Sequence, residues 1–70
     1  MREIDDRIKK SIIDSITEYV ASNKRYYSVL ELAAIKTGFM TGVWMGLISA
    51  GYKYNALFSN IMDDVWDNVN

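Results

Sequence analysis

The chain has no cysteine, no histidine and no proline, and only four glycines in 70 residues. Without cysteine there is no disulfide to staple so short a chain, and without cysteine and histidine the usual soft-metal ligands are missing. An absence of proline removes the strongest helix breaker, so long uninterrupted helices with short turns are expected. Net charge is also close to zero, since eight Lys and Arg against nine Asp and Glu leave -1. A chain so nearly neutral has no general attraction for phosphate backbones or anionic lipid surfaces.

The same absences bear on catalysis. Acid-base or nucleophilic chemistry would fall to Asp, Glu, Lys, Tyr, Ser or Thr, and no paired carboxylates flank an apolar stretch. Three of the glycines, Gly38, Gly42 and Gly46, fall inside an expected helix rather than in a phosphate-binding loop after a strand. The sequence therefore points away from an enzyme and names no catalytic residue, no cofactor and no resident metal.

What is present is apolar surface: half the residues are hydrophobic and 13% are aromatic. That is enough to fold one domain over residues 1–70, near the size at which a single core is barely sufficient alone. Met1 is followed by the charged segment Arg2–Lys10 with no apolar run behind it, which does not fit a secretory signal and suits a cytoplasmic protein.

Hydrophobic periodicity predicts three helices, over residues 2–21, 29–50 and 54–68. In the first, Ile4, Ile8, Ile12, Ile16, Tyr19 and Val20 share a face, with Ile13 on its flank. The opposite face carries acid and base at four-residue spacing: Glu3 with Arg7, Asp5 with Lys9, Asp6 with Lys10. Ser22 to Tyr27 break the pattern, with Asn23 suited to a left-handed helix end and Lys24 and Arg25 suited to the last carbonyls. The same turn offers an alternative role, because Lys24, Arg25, Tyr26 and Tyr27 combine cations with stacking surfaces of the kind that contact nucleic acid.

Ser28 and Glu31 form an S-x-x-E capping box that opens the second helix, and Gly51 suits its end. Between them only Glu31 and Lys36 are charged, and large apolar residues occur on every side of the wheel. Ala34, Gly38, Gly42, Gly46 and Ala50, at intervals of four, leave a shallow groove that the isoleucine ridge of the first helix could fill. A helix that is apolar all round must be covered all round, and two short neighbours cannot do it. The sequence thus predicts an all-α, compact three-helix domain with a central apolar helix that associates with a second copy. Gly38, Met40, Gly42, Val43, Trp44, Gly46 and Leu47 are the candidate self-association residues, with Met40, Val43, Trp44 and Leu47 expected to lack cover within the chain.

Two alternatives compete for this segment. Residues 31–48 resemble a helix-turn-helix, with Ala34 four residues before a turn at Gly38 and apolar residues at Phe39, Trp44 and Leu47. That resemblance implies a break near Gly38 and a DNA-binding regulator, yet the second half would offer bases Met40, Thr41, Gly42, Val43 and Met45, poor in donors and acceptors. The other alternative is a small membrane protein. Only Thr37 to Tyr52 is free of charge, which at 1.5 Å per residue gives about 24 Å against a hydrocarbon core of about 30 Å.

In the third helix Tyr54, Leu57, Phe58, Ile61, Met62, Val65, Trp66 and Val69 form the clearest apolar stripe in the chain, expected to pack on the second helix. Its polar face breaks local rules: acids crowd the C-terminal end, and Asp63 precedes Asp67 at like-charge spacing. Asp63, Asp64, Trp66 and Asp67 are accordingly the candidate docking residues for a protein partner. The expected function is interaction, as a small soluble regulator, adaptor or inhibitor of a larger macromolecule. Chains of this size and kind often serve as accessory factors of phages or mobile elements.

Overall fold

The computed structural model describes residues 1–69 and contains three helices, α1 (Asp6–Asn23), α2 (Val29–Ser49) and α3 (Ala56–Val69). Each start has a side-chain cap. The Asp5 carboxylate accepts the Ile8 N–H at 2.9 Å, so α1 begins four residues later than the apolar pattern suggested. Ser28 and Glu31 form the expected reciprocal box, with Ser28 N–H donating to Glu31 at 2.9 Å and Glu31 N–H to Ser28 Oγ at 3.2 Å. Asn55 Oδ1 accepts the Phe58 N–H at 3.0 Å and caps α3.

Helix ends follow different rules from those expected at one place. Asn23 stays helical, donating its side-chain amide to Tyr19 O at 2.8 Å, and the described residues include no non-glycine residue with positive φ. At the end of α2 the left-handed residue is Gly51, with φ +92°. Tyr52 N–H returns to Leu47 O and Gly51 N–H to Ile48 O, both at 3.0 Å, which is the paired bonding of a Schellman motif. The segment before α1 is extended rather than helical because it pairs elsewhere. Arg2 N–H donates to Gly51 O and Lys53 N–H to Arg2 O, both at 2.8 Å, while the Arg2 guanidinium lies 4.4 Å over the Tyr52 ring. Ile4 is thereby held in the core although it lies outside any helix.

α1 and α3 approach each other most closely and run parallel, since Arg2 pairs beside Tyr52 at one end and Lys24 reaches Val69 at the other, while α2 runs antiparallel to α3, with Lys36 beside Asp63 and Trp44 beside Tyr54. The expected all-α three-helix domain forms, and within it the closest backbone approach is between α1 and α3. The Cα trace extends 38 × 19 × 16 Å, so each short dimension accommodates about two helix diameters and no helix is surrounded. The core consists of Ile4, Ile16, Val20, Leu32, Phe58, Met62 and Trp66, of which α2 contributes only Leu32. Tyr19 of α1, Phe39 of α2 and Trp66 of α3 meet as an aromatic trio with centroids 5.5 to 6.0 Å apart. The side of α2 turned to its neighbours carries long side chains, Ile35, Phe39, Met40, Val43, Trp44 and Leu47, and these hold its axis away from the other two.

The three ion pairs expected along α1 do not form among the described residues. Asp5 is used as a cap, Glu3 instead faces Lys53 at 3.4 Å, and Lys10 pairs forward with Asp14 at 2.6 Å. Lys24, expected to serve the end of α1, reaches across to the α3 carbonyl of Val69 at 3.3 Å.

Candidate functional site

The outer side of α2 is the candidate site, and it is built by which residues the helix turns inward. Because bulky residues recur near one side of the cylinder, burying Leu32, Phe39, Val43 and Leu47 leaves Leu30, Ala34, Thr37, Thr41, Met45 and Ile48 outward. Leu30 is 84% exposed, Met45 64% and Ile48 55%. Gly38, Gly42 and Gly46 border this strip, and a Cβ built on any of them meets no other atom within 4 Å. The groove is therefore open, and the isoleucine ridge of α1 does not fill it. Large side chains at the inner contact exclude the close backbone approach that a glycine face would allow.

Within the predicted self-association set the structure separates two groups. Gly38, Gly42 and Gly46 face outward, whereas Met40, Val43, Trp44 and Leu47 pack on the core of their own chain. The expectation that these four lack local cover is corrected. Trp44 lies 4.6 Å from Tyr54 and 6.3 Å from Phe58, ring centre to ring centre. Its indole N–H is shut off from solvent and has no acceptor.

Charge is nearly absent from the outer strip. Lys36 points the other way, to α3, where its Nζ lies 2.7 Å from Asp63 and 3.1 Å from Asp67. The Asp63 carboxylate, and to a lesser degree Asp67, holds the ammonium above its ordinary value, against the opposing effect of partial burial. Glu31 is the one ionised side chain on the exposed side of α2, and its carboxyl is held below the ordinary range by hydrogen bonding from the Ser28 backbone and hydroxyl.

The acidic set is divided likewise. Lys36 bridges Asp63 and Asp67, which removes the like-charge conflict seen in the sequence, and Asp64 remains exposed. Trp66 is 1% exposed and offers nothing to a docking partner, so its inclusion with the aspartates is corrected. No group of three or more metal-ligating side chains gathers among the described residues.

Lys24, Arg25, Tyr26 and Tyr27 are all exposed at the turn after α1, with Arg25 5.8 Å over the Tyr26 ring. α2 is continuous through Gly38, so the two-helix arrangement implied by the helix-turn-helix resemblance does not form. A shallow depression on α1, lined by Ser15, Glu18, Tyr19, Ser22 and Asn23, holds no convergent charges suited to catalysis.

Leu30, Thr37, Thr41, Met45 and Ile48 lie outside the candidate self-association residues of the sequence. No periodicity in the sequence marks them, because large apolar residues occur on every side of α2 and Leu30, Met45 and Ile48 are themselves large.

The fold defines an all-α three-helix domain whose longest helix is covered on one side only. The chain matches no family model, no curated protein and no solved structure.

Proposed function

We propose that this chain is a small interaction module that acts as a homo-oligomer, associating through the outer face of α2, and that it serves as a regulator, adaptor or inhibitor of a larger macromolecule. One observation carries the association: α2, a 21-residue helix with two charged residues, has only Leu32 fully buried. Leaving Leu30, Met45 and Ile48 in water forgoes about 1.5–3 kcal/mol for each side chain that could be buried, which favours a second surface against them. A face without charges in its middle also carries no desolvation penalty from ion pairs.

Light scattering over about 10 µM to about 1 mM tests this. The expected result is a mass that rises from the 8.0 kDa of one chain toward twice that value. Thr41→Lys, which places an ammonium in the middle of an exposed strip, should hold the mass at that of the monomer while leaving the helical circular-dichroism signal unchanged. A monomer throughout the range refutes the association. So does a protein that floats with phosphatidylcholine vesicles and needs detergent to stay in solution, because lipid would then be the cover for a helix of this length.

A further inference from the structure

We infer that the second copy binds antiparallel, with its α2 crossing the first about a twofold axis at the level of residues 39 and 40. This rests on the association proposed above and specifies its partner geometry. Side-chain size along the exposed strip runs from large through small to large: Leu30 at one end, Met45 and Ile48 at the other, and Ala34, Thr37, Gly38, Thr41 and Gly42 between.

A twofold axis perpendicular to the helices makes residue i meet residue j and j meet i, on the same flank of both cylinders. Projected at 100° per residue, Leu30 and Ile48 share one flank, Ala34 and Met45 the centre, and Glu31 and Ser49 the other flank. Antiparallel pairing therefore sets Leu30 against Ile48, the Met45 thioether over the small Ala34, and Thr37 against Thr41. Gly38 meets Gly42, letting the backbones approach at the crossing.

A parallel pair does worse on two counts. It sets Met45 against Met45 and Ala34 against Ala34, crowding one level and leaving a void at another, and close-packed interfaces tolerate neither. It also gathers both Glu31 carboxylates, the one charge on this side, at the same end of the pair, and Glu31 is held ionised by its capping bonds to Ser28. The antiparallel pair instead places the Glu31 carboxylate opposite the Ser49 hydroxyl of the second copy and separates the two acids by about 27 Å of helix. The outer half of a 21-residue helix, about 31 Å long and 10 Å across, offers roughly 500 Å². Two such faces bury about 1,000 Å², the size of a weak and reversible interface.

Because the chain has no cysteine, single-cysteine variants test the geometry directly. Leu30→Cys and Ile48→Cys, each at an exposed position, are purified separately, mixed near 100 µM and oxidised mildly with glutathione disulfide. A disulfide requires Cα atoms within about 7 Å, so the mixture should give about tenfold more covalent dimer than either variant alone, joined from residue 30 to residue 48. Leu57→Cys on α3, also exposed, reports random collision. Self-linking of Leu30→Cys alone would show parallel pairing and overturn the inference while leaving the association intact. Light-scattering dimers whose 30-to-48 linking does not exceed the Leu57→Cys background would overturn it too, by placing the contact on another face. A monomer at every concentration would end both.

Discussion

Lys36 Nζ on α2 lies 2.7 Å from an Asp63 oxygen on α3, with the Lys36 side chain only 21% exposed. It thereby neutralises two acids one turn apart that the isolated helix α3 would find repulsive. α2 and α3 stay apart at the backbone, so a long, flexible stem is what allows this pair to form across the gap.

The pair sets a pH dependence. The Lys36 value is raised on folding, so its contribution is complete below the unfolded lysine value of about 10.4 and disappears as pH rises through the folded value. The difference in melting temperature between wild type and Lys36→Met should hold constant from about pH 7 to 9 and shrink on the alkaline side. At neutral pH, Lys36→Ala should cost about 1 kcal/mol by urea denaturation, a small figure because both carboxylates are more than half exposed.

Glu31 has the opposite sign. Its value is lowered on folding, so its contribution is present above the unfolded glutamate value of about 4.3 and is lost as pH falls through the folded value. Glu31→Gln preserves the box geometry but not the charge. Thermal melts of the two proteins should differ at neutral pH and converge in acid.

Glycines on the outer strip and at the helix end should respond in opposite ways. Gly42→Ala meets no atom and replaces a poor helix former, so the monomer should gain about 0.5–1 kcal/mol by urea denaturation. Gly51→Ala, at φ +92°, should lose about 1 kcal/mol in the same measurement, although it too has open space around it.

The two tryptophans should also separate. Trp44→Phe removes an indole N–H that has no acceptor, and relief of its desolvation offsets the lost area, so the change should lie within about 1 kcal/mol of zero. Trp66→Ala empties the centre of the core and should cost about 3–5 kcal/mol, unfolding much of the chain at room temperature.

Local chemistry was legible wherever a signal spans one or two turns. The Ser28 and Glu31 box, the Gly51 stop and the apolar face of α1 follow from spacing alone, because caps and periodicity involve neighbours in sequence; in α3 the same spacing finds the buried Phe58, Met62 and Trp66 but also Tyr54, Leu57 and Ile61, which are exposed. Asn23 does not take the left-handed end that its residue type suggests, because its side chain returns to Tyr19 within the same helix, a local option that competes with that end. α1 starts later than the apolar pattern predicts for a different reason: Arg2 pairs with Gly51 and Lys53, about fifty residues away.

α2 marks the boundary between the two kinds of information. Its apolar residues lie on every side, so composition establishes that the helix needs cover but no periodicity says which side the chain itself supplies. By itself the sequence determined three helices, the Ser28 and Glu31 box, the Gly51 stop and the excess of apolar surface on the second. Only the tertiary structure decided that Phe39, Val43, Trp44 and Leu47 turn inward and Gly38 and Gly42 outward. The physical reason is that α1 and α3, each with one strong apolar stripe, pack on each other and leave α2 the side on which bulky side chains bury the most area.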